Sequence, residues 1–200
     1  MSQILILRHG ESEWNAMGLW QGWANPALSQ AGQQQCIEIA QRLVHEKFDH
    51  IISSDLLRAI QSAQIIASVA KIPTSTASIH LRERNIGLWS GYSKEQIHKK
   101  WSHEYQLWRQ DQLERPPEGE SHSELMQRVI PQILELLKQK QRKTLIISHG
   151  GVMRGLQKHL TGTSQPIGNL NGFWLSSSTE NKLEISKLHF QDATPHTFSS

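Results

Sequence analysis

The chain alternates short apolar runs with longer stretches in which apolar residues recur every three or four positions. Short runs of β-branched residues and leucine predict buried strands, whereas the longer period predicts amphipathic helices. The predicted strands lie at 3–7, 49–53, 72–79, 144–148 and near 183–188, and the main predicted helices at 30–46, 56–70, 122–139 and 152–160. Because strands alternate with helices, the pattern predicts an α/β fold around a mostly parallel central sheet.

Residues 84–120 interrupt this alternation. Ser93 begins a capping-box pattern and is expected to open one helix rich in Trp and His. The break at 115–119 precedes the long predicted helix, inside which Pro131 is expected to cause a kink or a division. We therefore expect a small helical cap, residues 84–120, inserted into a single domain that spans 1–200. Residues 11–28 are polar and glycine-containing, and they are expected to form a loop.

Composition narrows the classes of function. The formal net charge is +3 and no block of Lys or Arg stands out, so nucleic-acid binding receives little support. No stretch approaches the roughly 18 apolar residues of a membrane span, and the start shows no signal-peptide pattern. A cytoplasmic protein without a membrane partner is the expectation. The single cysteine, Cys36, fits a packed thiol in a helix.

Polar residues follow three of the predicted strands. Arg8 and His9 follow the first, Arg58 lies one turn into the helix after the second, and His149 follows the strand at 144–148. In a parallel sheet these ends share one edge, where α/β proteins bind ligands. Two Arg and two His in one crevice are costly unless an anion neutralises them, and a phosphoryl group fits best. The helix start at Gly150 adds free N–H groups.

The motifs of other phosphate chemistries are absent from the sequence. It contains no GxxxxGK[ST], no GxGxxG, and no HxH or HExxH. A nucleophilic His is therefore favoured, with no metal and no cofactor expected. A histidine that attacks must be neutral, so its second ring nitrogen needs an acceptor that fixes the tautomer, and nearby Arg charges should lower its pKa. Glu83, in a loop between Arg82 and Arg84, is the most interesting carboxylate.

An ordered set of motifs resembles the histidine phosphatase superfamily, the phosphoglycerate mutase-like group. The matching blocks are Leu7–Asn15, Gln21–Gly22, Leu28–Gly32, Ser53–Ala59, Leu81–Glu83, Gly87–Gly91, Pro117–Ser121 and Ser148–Gly151. The resemblance implies a three-layer sandwich with helices on both faces of the sheet.

The resemblance also implies roles for individual residues. His9 would become phosphohistidine, Arg8, Arg58 and His149 would hold the phosphoryl oxygens, and Glu83 would donate a proton to the leaving oxygen and later activate water. A bell-shaped rate profile would follow. Asn15 and Gly150 would add phosphate contacts, and Gln21 and Gly22 would approach the substrate. Read without the resemblance, Asn15 also fits a turn residue, and Glu83 a loop carboxylate bridged to a neighbouring Arg.

Three functions follow from these residues. The first is a metal-independent phosphatase acting on a small phosphorylated metabolite; the second is a phosphoglycerate mutase; the third is a module that binds phosphorylated partners without turnover. Mutases of the family carry a longer insert, whereas only 37 residues run from Arg84 to Glu120, so the phosphatase is favoured. The sequence leaves the substrate open, and a homodimer is plausible.

Overall fold

A computed structural model describes residues 2–73, 75–139, 142–177 and 182–187. A six-stranded sheet is its centre. The strands are β1 (Gln3–Arg8), β2 (His50–Ser54), β3 (Ser75–Ser78), β4 (Lys143–Ser148), β5 (Gly172–Ser177) and β6 (Leu183–Lys187). The α-helices are α1 (Glu13–Ala16), α2 (Gln30–Leu43), α3 (Leu57–Ala70), α4 (Lys94–Lys100), α5 (Ser102–Arg109), α6 (His122–Lys138) and α7 (Gly150–Thr161). Short 3₁₀ turns lie at Val44–Glu46, Ile79–Leu81 and Gly87–Trp89.

The strand order is β3-β2-β4-β1-β5-β6. The first four strands are mutually parallel, and β5 runs antiparallel to both β1 and β6. The mostly parallel sheet expected from the sequence is confirmed. Strand β5 was not predicted, since its sequence GFWLSS ends in serines and carries only a short apolar run. The strand predicted near 183–188 is found at Leu183–Lys187, and residue 188 lies outside the described residues.

Side chains of the central strands alternate between two apolar layers. Ile4, Ile6 and Ile146 pack in one cluster with residues of α6 and α7. Leu5, Leu7 and other odd-numbered neighbours pack in a second cluster with α2 and α3. Because successive side chains of a strand point to opposite faces, each central strand contributes to both layers. The result is the expected three-layer sandwich with helices on both faces.

Several local expectations need correction. Pro131 neither divides nor ends α6, which continues through Lys138. The segment after Ser93 forms two helices rather than one, because the backbone of Trp101 leaves helical geometry at φ −131° and ψ 54°. The strand expected at 72–79 is restricted to Ser75–Ser78, after Pro73. The loop at 11–28 contains one helical turn, α1, capped by Ser12.

The cap has its own aromatic core. Ile86, Trp89, Ile97 and Tyr105 are buried together. Partly buried residues pack around them, namely Trp20, Tyr92, Trp101, Trp108 and Leu113. The segment 84–120 is thus held by contacts among its own side chains and with Trp20 of the preceding loop. Within the described ranges, no helix is long and apolar enough to cross a membrane.

Candidate active site

The ends of β1 and β4 lie side by side, and this places the predicted residues next to one another. Arg8 is in register with Ser148, and the backbone N–H of His9 donates to the Ser148 carbonyl at 2.9 Å. The His9 and His149 rings therefore meet edge-on, with centroids 5.1 Å apart. Arg58, in the first turn of α3, reaches the same point.

Hydrogen bonds to both ring nitrogens fix the tautomer of His9. Its Nδ1–H donates to the Gly10 carbonyl at 2.6 Å, which leaves the lone pair on Nε2. Arg58 donates its Nε–H to that Nε2 at 3.2 Å. Burial lowers the pKa of His9 well below its usual value, and the charges of Arg58 and Arg8 lower it further. Both observations agree with the expected neutral imidazole of fixed tautomer.

The buried guanidinium of Arg58 is held by backbone carbonyls. It donates to Ala24 at 2.8 Å and to Gly22 at 3.0 Å. Gly22 has a φ of +51°, and a side chain there would meet Ile86. Burial lowers the pKa of Arg58 to about 10, so the group remains a cation at neutral pH. Carbonyl contacts do not neutralise that charge, which remains available to an anion.

Arg8 and His149 carry buried polar atoms that have no hydrogen-bond partner among the described residues: Nε of Arg8 and both ring nitrogens of His149. The other end of the Arg8 guanidinium donates to the Ile167 carbonyl at 2.8 Å. Burial lowers the pKa of His149 well below its usual value, and the charge of Arg58 lowers it further. Unsatisfied buried groups are costly, and in native proteins they often mark a ligand site.

Glu83 closes the other side of the site. Its carboxylate accepts the backbone N–H of Arg84 at 2.7 Å and that of Gly151 at 3.0 Å. A Cβ atom at position 151 would collide with this carboxylate. The start of α7 therefore contacts Glu83 directly. The backbone carbonyl of Glu83 accepts from Trp23 Nε1 at 2.7 Å.

Arg128 on α6 holds the loop that carries Glu83. Its guanidinium donates to the carbonyls of His80, Arg82 and Glu83 at 2.8–2.9 Å. It also forms a two-pronged ion pair with the carboxylate of Glu120, at 2.7 and 2.9 Å. Sequence reasoning missed Arg128, because its position inside a helix resembles that of any surface cation.

The remaining predicted residues line the cavity in different ways. Asn15 accepts the backbone N–H of Ser12 at 3.3 Å through Oδ1, as part of the cap of α1. The buried Gln21 accepts the Ser12 hydroxyl at 2.9 Å. Gly150 begins α7 beside the Arg8 guanidinium. All three line a cavity of about 1130 Å³ together with His9 and Glu83.

Residues of segment 167–171 form hydrogen bonds with the backbone of Arg8 and His9. Leu170 N–H donates to the Arg8 carbonyl, and Arg8 N–H donates to the Asn171 carbonyl, both at 3.0 Å. Asn169 Nδ2 donates to the carbonyl of His9 at 2.8 Å. Sequence reasoning missed Asn169, which lies in a polar loop without a local motif.

No cluster of three or more His, Cys, Asp or Glu side chains suited to a metal ion occurs in the part of the chain that the structure describes. The expected donors to an anion are the cations and N–H groups around His9.

Several known proteins are similar to this chain in sequence or in fold. A phosphoglycerate mutase of Schizosaccharomyces pombe is 36% identical over 167 residues, which cover 80% of this chain and 79% of that protein. A metal-independent phosphoserine phosphatase of Arabidopsis thaliana is 32% identical over 168 residues, covering 82% and 71%. The structure of a mycobacterial glucosyl-3-phosphoglycerate phosphatase in complex with VO3 has a TM-score of 0.81 at 25% identity, over 92% of this chain and 97% of that one.

A profile of the histidine phosphatase superfamily (branch 1) matches residues 4–196. This match includes the edge of the sheet where Arg8, His9 and His149 meet. The chain belongs to the histidine phosphatase superfamily.

Proposed function

We propose that this protein is a metal-independent phosphomonoester hydrolase that acts on a small phosphorylated metabolite through a phosphohistidine intermediate. The observation that carries the proposal is the state of His9. Its Nε2 lone pair is fixed by the Nδ1–H bond to Gly10, and buried cations surround it. A neutral imidazole among cations is suited to attack a bound phosphoryl group.

The first half-reaction transfers the phosphoryl group to the enzyme. Arg8, Arg58 and His149 bind the phosphoryl oxygens while His9 Nε2 attacks phosphorus. The bond from phosphorus to the leaving oxygen breaks, and the proton of the Glu83 carboxyl moves to that oxygen. As the Nε2 lone pair forms the P–N bond, the Nε–H of Arg58 turns from His9 to a phosphoryl oxygen.

The second half-reaction is hydrolysis. The Glu83 carboxylate takes a proton from water, whose oxygen attacks phosphorus and breaks the P–N bond. Inorganic phosphate leaves, His9 is neutral again, and Glu83 is protonated for the next turnover. Side chains supply all the charge stabilisation in this scheme, so EDTA is expected to leave turnover unchanged. Loss of activity in EDTA that zinc restores would contradict it.

The intermediate can be trapped directly. The protein is mixed with a ³²P-labelled phosphomonoester and quenched in alkali, where phosphohistidine survives and acyl phosphates do not. Label on His9 is the expected result. Turnover without label on His9, or equal turnover by His9→Ala, would contradict the mechanism.

Phosphoglycerate mutase is the second candidate, because mutases are among the relatives of the chain. A mutase returns the phosphoryl group to a second hydroxyl before water enters. The short cap and the roomy cavity favour hydrolysis. With 3-phosphoglycerate, release of phosphate supports the phosphatase, and accumulation of 2-phosphoglycerate supports the mutase. Turnover of p-nitrophenyl phosphate excludes a module that only binds phosphorylated partners.

A further inference from the structure

Gly10 is a flexible link directly beside the nucleophile. It follows His9 in the chain, and its own carbonyl accepts the Nδ1–H of the His9 ring. A side chain has no room here, because a Cβ atom on Gly10 would lie 2.8 Å from the Gly32 carbonyl oxygen and 2.9 Å from Cys36 Sγ. Glycine has the widest choice of backbone torsions of any residue. The packing of α2 against this turn therefore places the least constrained residue at the point where the His9 ring is oriented.

Side chains fix the peptide group that precedes Gly10. The His9 carbonyl accepts from Asn169 Nδ2 at 2.8 Å, and the Gly10 N–H donates to Ser62 Oγ at 3.0 Å. Ser62 is fully buried on α3, and its hydroxyl donates to the Arg58 carbonyl at 2.7 Å. A hydroxyl has one proton, so this oxygen can only accept from Gly10. Ser62 thus joins the backbone beside the nucleophile to the helical turn that carries Arg58.

Another side chain fixes the peptide group that follows Gly10. The N–H of this peptide group belongs to Glu11 and donates to Gln35 Oε1 of α2 at 3.1 Å. Its carbonyl is the one that accepts the His9 Nδ1–H, at 2.6 Å. Because a peptide group is planar, a bond that holds its N–H also sets the direction of its C=O. Gln35 therefore directs the carbonyl that fixes the tautomer of His9.

We propose that Ser62 and Gln35 are positioning residues for the nucleophile. Together they set the torsions of Gly10, and through them the direction of the Nδ1–H bond and of the Nε2 lone pair. Ser62 also links this turn to Arg58, whose Nε–H donates to Nε2. The inference rests on the proposed phosphatase function, because the direction of the lone pair matters for attack on phosphorus.

The test separates positioning from simple stability. Ser62→Ala and Gln35→Met remove the two acceptors, whereas Ser62→Thr and Gln35→Glu keep an acceptor oxygen at each position. Ser68→Ala on α3 and Gln33→Met on α2 make the same substitutions at exposed positions. Ile66→Val removes a methyl group from the buried face of α3 and controls for lost stability.

Two quantities are measured for each protein. The first is kcat/KM with p-nitrophenyl phosphate, which covers the steps up to transfer of the phosphoryl group to His9. The second is the proton NMR signal of the His9 Nδ1–H in free protein labelled with ¹⁵N-histidine, identified by its absence from His9→Gln. A hydrogen bond to a fixed carbonyl shifts this proton downfield and slows its exchange with water.

We expect Ser62→Ala and Gln35→Met each to lower kcat/KM by about tenfold, because the attacking nitrogen is misdirected. In both variants the Nδ1–H signal should move upfield and exchange faster. Ser62→Thr and Gln35→Glu should restore most of both quantities, and the three control variants should change neither. Gln35 is only partly buried, so Gln35→Met should fold even if an unpaired Gly10 N–H destabilises Ser62→Ala.

The inference is overturned if Gln35→Met leaves either kcat/KM or the Nδ1–H signal unchanged. It is also overturned if Ile66→Val loses as much kcat/KM as Ser62→Ala, since lost stability would then explain both. If the unmodified protein does not hydrolyse p-nitrophenyl phosphate, the proposed function fails instead, and the NMR signal still tests whether Ser62 and Gln35 orient His9.

Discussion

The two ends of the cavity are built in different ways. At the inner end, backbone carbonyls of strand ends and loops hold Arg8, His9 and Arg58. His9 and Arg58 are buried, and Arg8 is partly buried. At the outer end, Trp108 and Tyr105 of the cap are placed by contacts with other aromatic rings. The sheet edge therefore fixes the groups that the proposed phosphoryl transfer would use, and the cap offers a surface that can change without disturbing them.

The largest effect is expected at the inner end, from His9→Ala. Loss of the attacking nitrogen should lower kcat by at least about 10⁴-fold, since the other groups then act on a reaction with no nucleophile. Steady-state kinetics with p-nitrophenyl phosphate measure it. His159→Ala, an exposed histidine of α7, is the control that should keep full activity. Comparable activity in His9→Ala and His159→Ala would contradict the proposed role of His9.

Glu83 lies between the two ends of the cavity. Its replacement should affect substrates with a poor leaving group more than substrates with a good one. We expect Glu83→Gln to reduce kcat/KM for an alkyl phosphate by about 10²–10³-fold, because the alkoxide must leave without a proton. This ratio covers the transfer to His9 and leaves out the later hydrolysis, in which Glu83 acts as the base for every substrate. The loss for p-nitrophenyl phosphate should be much smaller, since nitrophenolate leaves unaided. Glu114→Gln, a solvent-exposed carboxylate of the cavity wall, provides the matched control. Equal losses for both substrates would exclude Glu83 as the acid.

The buried histidines of the inner end should make folding sensitive to acid. The pKa values of His9 and His149 lie well below the usual value in the folded protein, so the unfolded chain binds more protons below about pH 6.5. Their contribution is fully present above that pH and is lost as the pH falls. Urea unfolding at about pH 7.5 and about pH 5.5 should show a loss on the order of 2–3 kcal/mol. His149→Gln should halve this loss, and a pH-independent free energy of unfolding would contradict it.

Arg128→Lys tests whether Arg128 positions the loop that carries Glu83. A lysine cannot donate at once to three carbonyls and the two oxygens of Glu120, so Glu83 should lose its position. We expect kcat/KM for an alkyl phosphate to fall about tenfold, with less than about twofold change for p-nitrophenyl phosphate. Arg115→Lys, at an exposed ion pair, should change neither value. A uniform loss would indicate a role in folding alone.

The smallest effect is expected at the outer end. Trp108→Leu should change kcat for p-nitrophenyl phosphate by less than about threefold, because Trp108 lines the cavity from the cap, where it packs against Trp89 and Arg84. Over a panel of phosphorylated metabolites, the order of the kcat/KM values in Trp108→Leu should differ from the order in the unmodified protein. Trp101→Leu makes the same substitution in the cap at a position that does not line the cavity, and it should preserve the ranking. A large loss for every substrate in Trp108→Leu would mean that the cap takes part in the chemistry.

Sequence reasoning located the inner end because each of its residues has a local signal. Arg8, His9 and His149 follow short apolar strands, and parallel topology brings such ends together. The groups it missed depend on long-range contacts. Asn169 reaches the His9 carbonyl across 160 positions, and Arg128 reaches Glu83 across 45. Strand β5 pairs with β1, but the sequence of β5 contains no pattern that predicts this pairing.

The bonds from segment 167–171 to Arg8 and His9 have a consequence for biosynthesis. During translation, His9 emerges 160 residues before Asn169, whose side-chain amide hydrogen-bonds to its carbonyl. The nascent polypeptide therefore carries His9 without that bond, and without the Leu170–Arg8 bond, while the intervening residues are made. The arrangement around His9 is complete only once segment 167–171 has been made and has bonded to the end of β1.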